Sequence, residues 1–89
     1  MNEQEPPKIE FPCDYPIKVM GLSSEDYERV VFATVEAHAP GFDRDRVQVR
    51  GSRKGTFISL TIFITATGQP QLESLHQALL DTGLVRMVL

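Results

Sequence analysis

Hydrophobic and polar positions alternate along residues 57–66. One face of this run carries only aliphatic side chains, namely Ile58, Leu60, Ile62, Ile64 and Ala66. The other face mixes two phenylalanines with hydroxyl-bearing residues, namely Phe57, Ser59, Thr61, Phe63 and Thr65. A period of two predicts a β-strand whose aliphatic face needs a cover. Because Gly51-Ser52-Arg53-Lys54-Gly55 separates this run from a shorter β-rich segment, residues 47–67 are predicted to form a β-hairpin.

Two other segments place apolar residues three or four positions apart, which is the period of an amphipathic helix. The first helix is predicted over residues 24–38, with Ser23 or Ser24 as its N-cap and Pro40 and Gly41 just beyond its end. Its stripe consists of Tyr27, Val30, Val31, Thr34, Val35 and His38. The second helix follows Gly68-Gln69-Pro70 and runs to about Thr82, with a stripe of Leu72, Leu75, Leu79 and Leu80.

Short strands are predicted on either side of these elements, over residues 15–21 and 84–89. Ile17 and Val19 of the first strand would face the core. The order is therefore β-α-β-β-α-β, which predicts an α+β, ferredoxin-like sandwich with two helices on one face of a four-stranded antiparallel sheet. The expected strand order is 4-1-3-2. Residues 1–10 are predicted to be a flexible polar tail, and residues 11–89 a single domain.

The second face of the predicted sheet has no helix to cover it. Strict alternation would place there Lys18, Met20, Gln48, Arg50, Phe57, Ser59, Thr61, Phe63, Leu84, Arg86 and Val88. Three interpretations stay open for these residues. They form a solvated surface of ordinary cross-strand pairs, a surface for a protein partner, or a site for a small molecule or RNA that stacks on the aromatic rings.

The charge distribution limits these interpretations. The net charge is −3, which weighs against a dedicated nucleic-acid binder, yet residues 46–72 contain four basic residues and no acidic one. The segment Lys54-Gly55-Thr56-Phe57 matches the first two positions of the RNA-recognition motif, but that motif's aromatic positions hold Thr56, Ile58 and Thr61. The candidate open-face or partner-binding residues are Lys18, Arg50, Arg53, Lys54, Phe57, Phe63 and Arg86.

The sequence offers little support for catalysis, and we expect no enzyme, cofactor or metal site. His38 and His76 lie in separate predicted helices without a cysteine or acid cluster at ligand spacing. The single cysteine, Cys13, cannot form an internal disulfide, and the acidic first residues do not match a signal peptide, so the expected location is the cytoplasm. The last strand is an apolar edge, which predicts either a homodimer through that edge or its coverage by the tail.

Four segments resemble the YbeD-like family of small bacterial proteins. They are Tyr15-Pro16-Ile17-Lys18-Val19-Met20-Gly21, His38-Ala39-Pro40-Gly41, Ser52-Arg53-Lys54-Gly55-Thr56-Phe57-Ile58-Ser59-Leu60-Thr61-Ile62 and Val85-Arg86-Met87-Val88-Leu89. The resemblance departs at Phe57, where relatives often carry tyrosine. It implies a ferredoxin-like fold similar to ACT-type regulatory domains, and an association with lipoate metabolism.

These features together predict a non-enzymatic regulatory or binding domain. It would dock on a partner protein or sense a small anionic metabolite. By analogy with ACT-type domains, the ligand-binding candidates are Met20, Gly21, Leu22 and Ser23 in the first strand–helix loop. The alternative is a nucleic-acid-binding domain that uses the open sheet face.

Overall fold

The structure, a computed structural model, describes residues 10–89. Its elements are β1 (Cys13–Leu22), α1 (Tyr27–His38), β2 (Gln48–Gly51), β3 (Phe57–Ala66), α2 (Gln69–Asp81) and β4 (Val85–Val88). The four strands form one antiparallel sheet in the order β2-β3-β1-β4. This is the predicted order read from the other edge, so the ferredoxin-like fold is confirmed. Apart from Glu10, the predicted tail lies outside the described residues.

The long central pair, β1 and β3, carries the sheet. The two strands pair along ten residues each, from Cys13 opposite Ala66 to Leu22 opposite Phe57. Six aliphatic residues of these two strands lie on one face and are buried, namely Ile17, Val19, Leu60, Ile62, Ile64 and Ala66. The period-two pattern therefore identified the core face of both strands correctly. Burial of each of the valine, leucine and isoleucine side chains among them stabilises the fold by about 1.5–3 kcal/mol.

The two helices supply the cover for this face. Tyr27, Val31 and Val35 of α1 and Leu75 and Leu79 of α2 are buried in the same core. Both predicted helical stripes are therefore confirmed. Neither helix in residues 10–89 has the length and apolar character that a membrane crossing requires.

The start of α1 differs from the prediction. Neither Ser23 nor Ser24 is the N-cap; that position is Asp26, whose side chain makes no capping hydrogen bond and accepts one from Arg29 instead. The reason lies in the loop, because the Ser23 amide donates to the Thr56 carbonyl at 2.8 Å and so remains tied to the sheet. The chain then turns at residues 24–26, and the helix begins three residues later than predicted.

A β-bulge in β4 also departs from simple alternation. Met20 pairs with Met87, but the next residue, Gly21, pairs with Val85, which leaves Arg86 as the extra residue. Val85 is buried on the helix side, and Leu84 and Val88 pack against the same core. The predicted open-face positions of Leu84 and Val88 are therefore wrong, because the bulge and a one-residue offset turn these side chains toward the helices.

Near the end of β1, position 21 has room only for glycine. A Cβ atom built on Gly21 would lie 2.5 Å from Tyr27 Cε2 and closer still to the carbonyl oxygen of Leu84. Tyr27 is fully buried, and its hydroxyl donates a hydrogen bond to the Val19 carbonyl at 3.0 Å. We call Gly21, Tyr27 and Leu84 the closed joint, because they fill the space between α1 and the end of the sheet.

Candidate functional site

The sheet surface opposite the helices is the open face. The pairing register places on it Lys18, Met20, Leu22, Gln48, Arg50, Phe57, Ser59, Thr61, Phe63 and Met87. Most of these positions follow from the alternation of β1, β2 and β3. Leu22 and Met87 were not among the residues assigned to this face from the sequence. Arg86 is exposed at the bulge.

A shallow polar cavity occupies the middle of the open face. It has a volume of about 320 Å³ and is lined by Lys18, Gln48, Val49, Arg50, Ser59 and Thr61. We call it the central basin. The register forms it from two cross-strand rows, one of Lys18, Thr61 and Gln48 and one of Met20, Ser59 and Arg50. Thr61 and Ser59, in the middle of these rows, have short side chains. They leave a recess between the long side chains of Lys18 and Arg50.

One end of the open face is closed by an arginine stacked on an aromatic ring. The Arg46 guanidinium lies 4.3 Å from the centroid of the Phe63 ring. Its two terminal nitrogens donate to both carboxylate oxygens of Asp14, at 3.0 and 3.1 Å. Arg46 belongs to a short 3₁₀ turn, Arg44–Arg46, that the hydrophobic pattern did not predict. Because Phe63 is half-buried under this pair, its ring is poorly placed to stack on a nucleobase.

The pairing should be visible in the titration of Asp14. Hydrogen bonding from Arg46 is the main cause that lowers the pKa of Asp14 below its usual value, and charge attraction adds to it. In Arg46→Gln, we expect the pKa of Asp14 to rise toward that of a free aspartate, as read from its carboxyl carbon shift by NMR. Arg44→Gln is the matched control, since Arg44 stacks on Phe32 and Phe42 instead. An unchanged Asp14 titration in Arg46→Gln would contradict the ion pair.

The other end of the open face is apolar and exposed. Leu22 pairs with Phe57, and Met20 pairs with Met87, so four apolar side chains lie together. The exposed fractions are 36% for Leu22, 45% for Phe57 and 48% for Met87. We call Met20, Leu22, Phe57 and Met87 the apolar cluster. Arg53 and Lys54 lie in the exposed hairpin turn that leads directly into Phe57.

The ligand segment predicted by ACT analogy is divided by the structure. Met20 and Leu22 lie on the open face, Gly21 is buried in the closed joint, and the Ser23 amide is bonded to Thr56. None of these four residues lines the central basin. Effector binding at Met20–Ser23 stays a prediction, whereas Met20 and Leu22 do join Phe57 in one exposed cluster.

Sequence reasoning did not identify a second cavity, which lies on the helix side of the sheet. It has a volume of about 280 Å³ and is lined mainly by Tyr15 and Ile17 of β1, Leu72, Leu75 and His76 of α2, and Val88. The last backbone hydrogen bonds between β1 and the C-terminal segment join Lys18 to Leu89, at 2.9 and 2.8 Å. The cavity lies beyond this point, where β1 has no neighbouring strand on that edge within residues 10–89. Pro16, two residues earlier, faces this uncovered edge and offers it no N–H donor.

The fold and the open face together define a small ferredoxin-like α+β domain with one uncovered sheet surface. A family model described as "Protein of unknown function (DUF493)" matches residues 6–89. The chain is 45% identical to a UPF0250 protein of Ectopseudomonas mendocina, with 99% of this chain and 97% of that protein covered. It is 48% identical to UPF0250 protein NE1487 of Nitrosomonas europaea, with 91% and 93% covered. The chain belongs to this DUF493 (UPF0250) family, which confirms the YbeD-like resemblance.

A solved structure supports the fold independently. The solution structure of protein HP0495 from H. pylori matches with a TM-score of 0.78 at 15% sequence identity, covering 98% of this chain and 91% of that one. At that identity, the likeness shows the shared fold alone.

Proposed function

We propose that the protein is a non-enzymatic binding domain whose open face docks on an acidic surface of a partner protein. The observation that carries the proposal is the apolar cluster on the open face, with three of its four side chains more than a third exposed. Methionine and aromatic side chains of this kind are enriched in the cores of protein interfaces and are typical energetic anchors.

The charges around the cluster specify the partner's chemistry. Lys18, Arg50, Arg53, Lys54 and Arg86 are all exposed on or beside the open face. Among the described residues, the carboxylate of Asp14 is paired with Arg46 at the far end of this surface. The protein as a whole carries a net charge of −3. A basic surface on an acidic protein complements an acidic partner and steers its approach.

The geometry is less suited to nucleic acid. Single strands bind by stacking successive bases on aromatic platforms. On this face Phe63 is covered by Arg46, so Phe57 is the exposed ring of the two. The resemblance to the YbeD-like family directs the search for the partner to proteins of lipoate metabolism. Sensing of a small anionic metabolite is the second form of the same proposal, and the central basin would be its site.

A matched pair of variants tests the docking surface. Phe57→Asp places a negative charge in the apolar cluster. Ala33→Asp places the same charge at an exposed residue of α1, on the opposite side of the sheet. Proteins captured by the wild type from host lysate are purified, and their affinities are measured by titration calorimetry. We expect Phe57→Asp to weaken binding of the partner roughly tenfold or more, and Ala33→Asp to change the affinity little.

Salt dependence and mapping complete the test. The affinity of the purified pair should fall as ionic strength rises, and amide exchange in the wild type should slow at residues of the open face on binding. The proposal is wrong if every captured protein binds Phe57→Asp and Ala33→Asp equally well. It is also wrong if the wild type binds a mixed-sequence single-stranded RNA, if that binding weakens steeply with salt, and if Phe57→Asp abolishes the binding. The nucleic-acid alternative would then replace the proposal.

A further inference from the structure

We infer that the central basin is a binding subsite for one carboxylate or phosphate group attached to an apolar body. This inference rests on the proposed function to the extent that the open face is the binding surface. It names the chemical group that the surface receives.

The basin brings two cations over one strand. Lys18 on β1 and Arg50 on β2 lie on opposite sides of β3, which separates their Cα atoms by roughly 10–12 Å at ordinary strand spacing. Both side chains are long enough to extend over β3 from either side. A single small anion above Ser59 and Thr61 would therefore be within reach of both charges.

The floor of the basin offers hydroxyl groups. Ser59 is only 9% exposed although it lies on the open face, because longer neighbours flank it. Among the side-chain hydrogen bonds in the part of the chain that the structure describes, none involves Ser59 or Thr61. These two hydroxyls are therefore available as donors to an anion. The guanidinium of Arg50 adds the bidentate fork that matches carboxylate and phosphate oxygens.

No described carboxylate competes for the basin. The ion pairs of residues 10–89 are those of Arg29 with Asp26 and of Arg46 with Asp14. The second pair lies at the Phe63 end of the face and is already bidentate. Within that part of the chain, neither Lys18 nor Arg50 forms an ion pair, so both side chains can contact an external anion.

The size of the basin and its position beside the apolar cluster indicate that the ligand carries an apolar body next to its anionic group. A volume of about 320 Å³ exceeds what one carboxylate needs, and Met20 of the apolar cluster lies in the same cross-strand row as Ser59 and Arg50. An anionic group in the basin would carry its apolar body toward Met20 and Phe57. Such a group is either an acidic or phosphorylated side chain of the docked partner or the head of a free organic acid.

The test titrates the isolated protein, observed by amide NMR, with inorganic phosphate, acetate and octanoate. We expect saturable shifts at Lys18, Arg50, Ser59 and Thr61, and tighter binding of octanoate than of acetate. Arg50→Gln and Lys18→Gln should each weaken binding roughly tenfold. Arg29→Gln is the control, because it removes the same charge from the helix side and should leave the affinities unchanged.

The outcomes separate the sources of the anion and the two proposals. If octanoate displaces the captured partner from the wild type, the partner's acidic group occupies the basin. If octanoate binds and the partner is unaffected, the basin takes a free organic acid. Shifts that stay linear in concentration, or that Arg29→Gln reduces as much as Arg50→Gln does, overturn the inference. The anion titration needs no partner protein, so a failure of the docking experiment does not affect its result. If a partner docks but no anion binds, the subsite is wrong and the docking proposal stands.

Discussion

Replacing Gly21 with alanine should lower the free energy of unfolding by about 3 kcal/mol or more. The added methyl group would overlap the Leu84 carbonyl, which is backbone, and the ring of Tyr27. Tyr27 is fully buried and its hydroxyl is bonded to Val19, so neither neighbour can move away cheaply. A loss of that size corresponds to a fall in melting temperature of roughly 15 °C for a domain of this length, which circular dichroism measures directly.

Gly51→Ala is the matched control for this prediction. Gly51 is also a strand glycine, but a Cβ atom there would meet nothing within 4 Å. Alanine should therefore be tolerated at Gly51, with a change within about 0.5 kcal/mol. Equal losses of stability in the two variants would contradict the prediction. They would show that the loss comes from replacing a flexible glycine, and not from steric overlap in the closed joint.

The requirement for glycine at position 21 could not be predicted from the sequence. Gly21 was interpreted as the residue that ends the first strand, which is a local role. Its actual constraint comes from the Tyr27 ring and, most closely, from the carbonyl of Leu84, more than sixty residues away in the chain. The same bulge explains why the positions of Leu84 and Val88 were predicted wrongly. Alternation is a reliable guide only while a strand stays regular, and Arg86 interrupts β4.

The central strands were predictable for the converse reason. β1 and β3 pair without a bulge over ten residues each, so a period of two assigns both of their faces correctly. The same regularity allowed Lys18, Arg50 and Phe57 to be placed on the open face. The role of Arg46 was not predictable, because the polar turn that carries it has no hydrophobic period. The sequence pattern alone therefore predicted Phe63 as an open-face ring, whereas in the structure the Arg46 guanidinium covers it.

The closed joint and the open face lie on opposite sides of β1, so their variants should have separate effects. Lys18, Arg50 and Phe57 are exposed, and substitutions at them should change stability by no more than about 0.5 kcal/mol. Gly21 and Tyr27 are buried on the helix side and act on stability. A binding defect in an open-face variant that keeps its melting temperature can therefore be assigned to the surface itself.

Tyr27→Phe should change how the protein responds to alkaline pH. Burial raises the pKa of Tyr27 from 10.0 to about 12, because the phenolate would be formed in the core. Since the unfolded chain releases this proton more readily, the stability from Tyr27 is fully present below pH 10 and is lost as the pH rises toward 12. Between pH 9 and about pH 11.5, the wild type should lose roughly 1–2 kcal/mol more than Tyr27→Phe does.

The two stability curves should therefore cross. At neutral pH the variant lacks the hydrogen bond to the Val19 carbonyl and should be less stable by about 1 kcal/mol. Urea unfolding at a series of pH values measures the free energy of unfolding of both proteins, from neutral pH to about pH 11.5. Every other titrating group is the same in the two proteins, so the difference between their curves reports on Tyr27. At about pH 11.5 the variant should equal or exceed the wild type. Parallel curves over this range would mean that the Tyr27 hydroxyl reaches water, and that α1 does not seal the end of the sheet against β4.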